Sequence, residues 1–219
     1  FRIVKIANIF WACSEDAARW FYPSKILPRV KIIPNAIDVD KYMYDENKRK
    51  IFRENYELSG CKVVGNIGRL HFQKNQKFII KILSKMIEED SNIKLLLIGE
   101  GPDEVELKEE VKKLGIEQNV IFLGVQKDIR GWISAFDVFV FPSKFEGLSI
   151  VALEAQANGI PIVASAEAIN NNGMINSNIK IVSLNDSISV WKKAIYDSFN
   201  SSRIPYDELK VHFKEKNLD

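Results

Sequence analysis

Four residues of this chain have types and spacing suited to an anionic ligand that also carries hydroxyls. Arg69 and Lys74 lie in the segment GRLHFQKNQ, and Glu146 and Glu154 lie eight residues apart in FPSKFEGLSIVALEAQANGIPIVAS. Two cations beside helix starts are the ordinary apparatus for a diphosphate, because backbone N–H groups and the helix dipole reinforce their charge. Carboxylates only accept hydrogen bonds when ionised, which suits them to sugar hydroxyls. Plainer accounts exist for each: a solvated basic loop for Arg69 and Lys74, a solvated Glu146, and a Glu154 paired with a nearby Lys or Arg.

The elements that must position these groups follow from the apolar pattern. Phe139, Val140 and Phe141 form a run that Pro142 stops as a strand is stopped. A short loop then carries Glu146 and Gly147. From Ser149 a helix begins, with Ile150, Leu153 and Ala157 on one face and Val151, Ala152 and Ala155 on another. From Lys62 onward the runs KVVGNI, KLLLIG, VIFLG, FDVFVF, IPIVAS and IKIVSL read as buried strands. Between them lie helical patterns, on Ile79, Ile82, Leu83, Met86 and Ile87, on Leu107, Val111 and Leu114, and on Ile129, Trp132, Ile133 and Phe136. This alternation predicts an α/β fold: a Rossmann-like, doubly wound parallel sheet with helices on both faces. Ligands of such sheets bind at the carboxyl ends of the strands, here the loops after Ile67, Ile98, Leu123 and Phe141. In the first of these Gly68 permits close backbone approach, and His71 reads as a polar loop residue. The second, GEGPDEVE, has Glu104 where a dinucleotide fingerprint needs a third glycine. No Walker sequence is present, and no Ser or Cys sits in a nucleophile context.

The bulk properties exclude several classes. Lys+Arg 31 against Asp+Glu 29 leaves a net charge of +2, which is no nucleic-acid footprint. Cys13 and Cys61 have neither metal-ligand spacing nor a framework of pairs, which reads as a reducing compartment. No apolar run approaches the ~18 residues of a membrane span, and the charged start FRIVKIANIFWAC is not a signal peptide. Composition points to a soluble, cytoplasmic protein. FRIVKIAN reads as the tail of an amphipathic helix already under way, so the chain is expected to be the later part of a longer protein. Residues 9–13 read as a short buried strand, and Ser14 caps a helix over SEDAARWF that ends before Pro23. VKIIPNAID is extended, and Asp45–Asn55 reads as a solvated helix.

The motifs GRLHFQKN, LLLIGEGPDE, VIFLG and FEGLSIVALEAQANGIPIVAS, in that order and spacing, resemble the C-terminal domain of glycosyltransferase family 4. The likeness covers roughly residues 9 to 200 and includes ACSED and IIPNAID. It implies a retaining enzyme of the GT-B fold, similar in style to bacterial capsular and exopolysaccharide glycosyltransferases. By the resemblance, Arg69 and Lys74 bind the diphosphate of a nucleotide-sugar and stabilise the departing nucleotide, with Gly68 beside them. Glu154 holds the ribose. Glu146, Gly147 and Leu148 face the donor sugar and distal phosphate, with Ser149 near the helix start, and the main chain near Val125 meets the base. No cofactor or metal is implied. The acceptor is a glycan or lipid-linked sugar, held by an N-terminal domain of which residues 1–27 are the remnant. Residues 28–200 are the nucleotide-sugar-binding domain and 201–219 a helical tail. The full-length protein is expected in the cytoplasm, with possible peripheral association at the membrane.

Three departures from the family pattern stand out. Ala36 follows Asn35 where glycine is common, Asn75 and Gln76 replace Gly-His after the lysine, and AEAINNNGMINSN lacks the Gly-Gly and glutamate of many relatives. Two other functions remain open on the sequence: a non-catalytic partner subunit that keeps the fold, and another nucleotide-binding doubly wound domain such as a sugar epimerase. With the acceptor domain missing, the chain is expected to bind nucleotide without transferring sugar. The apolar Trp11, Trp20 and Phe21 are expected to leave the first ~25 residues weakly anchored or packed on a neighbour.

Overall fold

The chain enters the fold through a small parallel pair. β1 (Phe10–Ala12) and β2 (Val30–Ile32) align Phe10 with Val30, and α1 (Glu15–Phe21) bridges them. Ser14 caps α1 as its residue type predicts, accepting from the Ala17 N–H at 3.1 Å. The strand expected over residues 9–13 is shorter and less buried. Only Phe10 is enclosed, and Trp11 is 64% exposed, because a two-stranded sheet covers one side of itself. This description, from a computed structural model, covers residues 6–169 and 173–219.

After the connector come α2 (Val39–Tyr42) and α3 (Glu46–Asn55), and then the main sheet. Its strands are β3 (Lys62–Ile67), β4 (Ile93–Ile98), β5 (Val120–Gly124), β6 (Val138–Phe141), β7 (Ile162–Ser165) and β8 (Ile179–Val182). All pair in parallel, in the order β5-β4-β3-β6-β7-β8, as the six apolar runs predict. The helices between them are α4 (Gln76–Ile87), α5 (Glu104–Lys113), α6 (Ile129–Ala135), α7 (Ile150–Ala157) and α8 (Ile188–Phe199), followed by α9 (Tyr206–Glu215).

Successive side chains of a strand point to opposite faces, and the two faces build two cores. Val64, Leu95, Leu97, Val138, Val140 and Val163 pack with α4, α5 and α8. Val63, Leu96, Ile98, Phe139, Phe141 and Ile162 pack with α6 and α7. Gly65 stands where the ring of Phe136 crosses β3, and a Cβ there would lie 2.0 Å from that ring.

The charged helix α3 buries no residue fully, in keeping with its composition, yet it is not merely solvated. Arg49 and Arg53 donate to the carbonyls of Ser134, Ala135 and Phe136 and pair with Asp137. Arg203 also donates to the carbonyls of Ile133, Ser134 and Phe136. Three guanidinium groups therefore satisfy the orphan carbonyls and the negative dipole end of α6. Around Arg203 burial, with Arg49 beside it, pulls the guanidinium pKa down to about 10.

A third core lies under α7. Leu153 and Ala157 pack with Ile37, Val39, Phe213 and Leu218, so the connector and α9 close over one side of this helix. The Ile37 N–H donates to the Leu218 carbonyl at 3.0 Å.

Candidate functional site

The order of the main sheet places a switch point between β3 and β6. The chain starts in the middle at β3, winds outward to β5, and returns to β6 on the other side. Loops leaving neighbouring strands in opposite senses open a crevice at their carboxyl ends. The loop after β3 carries Gly68, Arg69 and Lys74, and the loop after β6 carries Glu146, Gly147 and Leu148.

Buried amides tie these loops together. Gln76 donates to Asn66 Oδ1 at 3.3 Å and to the Arg69 carbonyl at 3.1 Å, while Asn66 donates to the Val140 carbonyl at 2.9 Å. Asn75, in the left-handed region at φ 57, donates to the Pro142 carbonyl at 3.2 Å. The two residues that depart from the family pattern after the lysine are thus the links between β3 and β6. At the loop tips, the Lys144 N–H donates to the Gln73 carbonyl at 2.8 Å, and Gln73 Nε2 to that of Phe145 at 2.8 Å. The glycines of the loop after β4 serve this region by close approach. A Cβ on Gly99 would lie 2.2 Å from the Gly68 carbonyl oxygen, and one on Gly101 2.2 Å from that of Leu70.

Within this frame Lys74 and Glu146 meet. Lys74 Nζ lies 2.7 Å from Glu146 Oε1, with side-chain exposures of 17% and 9%. The ammonium also stands 5.4 Å from the Phe141 ring centroid. A Cβ on Gly68 would come within 3.3 Å of the Lys74 stem, so Gly68 gives the lysine its path. Arg69 is exposed and forms no ion pair among the described residues. The two cations are therefore in different states: one held by a carboxylate, one open to solvent.

Beside Glu146 opens a cleft of about 520 Å³, whose lining includes Asp16 and Trp20 of α1, Gln73, Phe145, Glu146 and Glu167. Gly147 closes its base: a Cβ there would lie 3.1 Å from Cys13 Sγ and 3.5 Å from Ala17 Cβ. Glu167 is itself held by the Ser183 hydroxyl at 3.2 Å and the Leu184 N–H. Of the divergent AEAINNNGMINSN stretch, Asn170 to Asn172 lie outside the described residues.

Ser149 occupies the N-cap position of α7 but makes no side-chain cap bond. Ile150 is 51% exposed, so the predicted face of Ile150, Leu153 and Ala157 is shared only by the last two. Leu148 offers its carbonyl to Asn35 Nδ2 at 2.7 Å. Glu154 is half-buried on α7 and has no ion-pair partner among the described residues, which removes the plain account of a Lys or Arg beside it. Tyr42 packs against the same side of α7, and its phenol is the polar group that acts on Glu154. Burial raises the Glu154 pKa above the ordinary 4.5, against the opposing effect of that hydroxyl. Burial and then Glu154 push the Tyr42 phenol up to about 12. Val125 is exposed beyond the edge strand β5, does not line the 520 Å³ cleft, and is not brought to the Lys74–Glu146 pair.

Sequence reasoning marked Gln76 only as a departure from the family pattern, and did not place it or Asn66 in this site. Amides inside apolar or basic runs are the trace they leave: a buried amide needs a partner and so marks a link.

The profile of the family described as Glycosyl transferases group 1 matches residues 47–214. The chain belongs to this family. EpsF of Bacillus subtilis (strain 168), which bears a glycosyltransferase name, is 32% identical over 220 residues, covering 99% of this chain and 57% of EpsF. This group 1 glycosyl transferase chain thus spans a little over half the length of that relative. A structure of Anabaena Alr3699/HepE in complex with UDP-glucose superposes with a TM-score of 0.80 at 20% identity, over 97% of this chain and 60% of that one. The C-terminal domain of a glycosyl transferase group 1 protein, LpcC from Francisella tularensis, superposes at 0.65 with 23% identity, over 80% of this chain and 97% of that one. At these identities the likenesses establish the fold: the Rossmann-like domain of GT-B glycosyltransferases, as the motif resemblance implied. Among the described residues no helix is long and apolar enough to cross a membrane.

Proposed function

We propose that this chain is the donor-binding half of a retaining glycosyltransferase, which moves a sugar from a nucleotide-sugar to a glycan or lipid-linked acceptor in surface polysaccharide synthesis. The observation that carries the reading is the Lys74–Glu146 pair at the strand switch point, beside an open Arg69 and a sugar-sized cleft. Arg69 and Lys74 meet the diphosphate. Negative charge grows on the departing nucleotide in the transition state, so fixed cations lower the barrier there. Glu146, Gly147 and Leu148 face the donor sugar and the distal phosphate, with Ser149 near the start of α7, and Glu154 accepts from the ribose. Val125 is the contact to the base.

The relatives support a nucleotide-sugar donor: HepE is described with UDP and with UDP-glucose, and a Mycolicibacterium smegmatis relative 31% identical over 153 residues is named as GDP-mannose-dependent. We assign acceptor recognition to the part of the longer relatives that this chain does not span, with residues 1–27 belonging to that domain. We further assign the full-length protein to the cytoplasm or to the cytoplasmic face of the membrane, and the reaction to the chain's own cations without a metal. Calorimetry of this chain with UDP, GDP, ADP and their sugar derivatives tests the reading. One nucleoside diphosphate should bind, with affinity unchanged by a chelator, and no sugar should be transferred by the 219-residue chain alone. Absence of binding across the panel would overturn it.

A further inference from the structure

We propose that the Lys74–Glu146 pair is a partner-exchange switch, which makes the site prefer a nucleotide-sugar over the free nucleoside diphosphate left after transfer. The inference rests on the reading of Lys74 as a diphosphate contact and Glu146 as a donor-sugar contact. Its own basis is that the pair is closed and its frame is fixed. Lys74 Nζ donates to Glu146 Oε1 at 2.7 Å, and the two side chains are only 17% and 9% exposed. The residues on either side of Lys74 are tied to the opposite loop. The Gln73 carbonyl accepts from the Lys144 N–H, its side chain donates to the Phe145 carbonyl, and Asn75 donates to the Pro142 carbonyl. The backbones are thus pinned, and a change of partners falls to the two side chains.

A diphosphate that draws Lys74 away leaves Glu146 a mostly buried carboxylate without a counter-ion, since Lys74 is its one ion-pair partner among the described residues. That loss opposes binding unless the ligand itself supplies donors. A nucleotide-sugar supplies them: its sugar hydroxyls donate to the freed carboxylate while its diphosphate holds Lys74. A free nucleoside diphosphate has no hydroxyl on that side, and its terminal phosphate carries more negative charge. Glu167 lines the same cleft as Glu146, and no Lys or Arg does among the described residues. The side of the pair that faces the cleft therefore welcomes hydroxyls and repels added phosphate charge. Once the sugar has left, the lysine returns to Glu146, and the switch speeds release of the product.

The test titrates this chain with UDP, GDP and ADP, each alone and carrying glucose, galactose, mannose or N-acetylglucosamine. It compares wild type, Glu146→Gln, Lys74→Gln and the double variant. Wild type should bind one nucleotide-sugar at least as tightly as its free diphosphate. Glu146→Gln should tighten the free diphosphate by about tenfold to a hundredfold, the scale of a hydrogen bond to a charged group, and leave the nucleotide-sugar unchanged or weaker. On the Lys74→Gln background the same change should lose most of that gain, because the gain comes from the released lysine. Parallel shifts of both ligands in Glu146→Gln would show a packing role only and overturn the proposal, as would a gain of the same size without Lys74. A wild type that prefers the free diphosphate would overturn it with no variant needed, and the donor-binding reading would stand. Absence of binding across all the nucleotides and nucleotide-sugars would overturn that reading itself, and this proposal with it.

Discussion

At Glu154 burial works against charge, and the consequence can be read in stability. Its folded pKa lies above the ordinary 4.5, so folding favours the protonated acid. The favourable contribution is whole below the unfolded pKa and is lost as pH rises through the folded one. Glu154→Gln keeps an acceptor for Tyr42 and removes the charge. It should melt about 2–4 °C above wild type near neutral pH, with the gap closing toward about pH 4, while nucleotide affinity falls. A variant that melts early at neutral pH would instead identify Glu154 as a structural partner. The Lys74–Glu146 pair predicts a different pattern. Glu146→Gln releases Lys74 to the diphosphate, so nucleoside diphosphate affinity should rise in a titration at low salt. In the full-length protein turnover should drop, and the chain should lose about 1–3 kcal/mol from the partner left unsatisfied. Arg69 has no such partner to lose. Arg69→Ala should leave melting unchanged and cut full-length turnover by about 10²–10³-fold, as for other fixed charges that meet a developing anion.

Elements divide into those whose identity is local and those whose role is tertiary. The main strands were legible because residues buried on both faces must be apolar throughout, and runs such as KLLLIG and IPIVAS keep to that pattern. The loops that hold Arg69, Lys74 and Glu146 were legible for the same reason, since they follow those strands. What α7 packs against was not legible. Ile150 and Leu153 look alike in sequence, and only the closure of α9 and the connector decides that one is exposed and the other enclosed. The interlock of the loops after β3 and β4 was likewise hidden, because a glycine that avoids a neighbour's backbone resembles one that permits a turn. This interlock makes a prediction of its own. Gly101→Ala places a Cβ against the Leu70 carbonyl and should cost about 2–4 kcal/mol in urea denaturation. Gly60, at φ 75 with open space around it, is the control: Gly60→Ala should cost only the left-handed backbone term, about 1–2 kcal/mol.

Across the whole molecule, the segment after Asn200 is structural. Leu209, Phe213 and Leu218 are buried, the Ile204 N–H donates to the Gly159 carbonyl at 3.0 Å, and Asp219 Oδ1 accepts from the Val39 N–H at 3.3 Å. Removing residues 201–219 uncovers Leu153 and Ala157 and takes away three large apolar side chains. The loss should be on the order of 5 kcal/mol, seen as a lower melting temperature. Nucleotide binding should weaken in parallel, because α7 carries Glu154. A truncated chain that binds nucleotide and melts like the full one would show that α9 does not brace the helix.

The same closure has a consequence for how the protein is made. Val39 and Asp219 are partners 180 positions apart in the chain, and contacts of such long separation form late in folding. Synthesis delivers Ile37, Val39 and α7 well before α9, so the apolar side of α7 waits uncovered while translation continues. A message that stops short of α9 therefore yields a sticky chain rather than a quiet one. Such a product is material for chaperones and proteases, and a covered α7 reports that translation has run past Phe213 and Leu218.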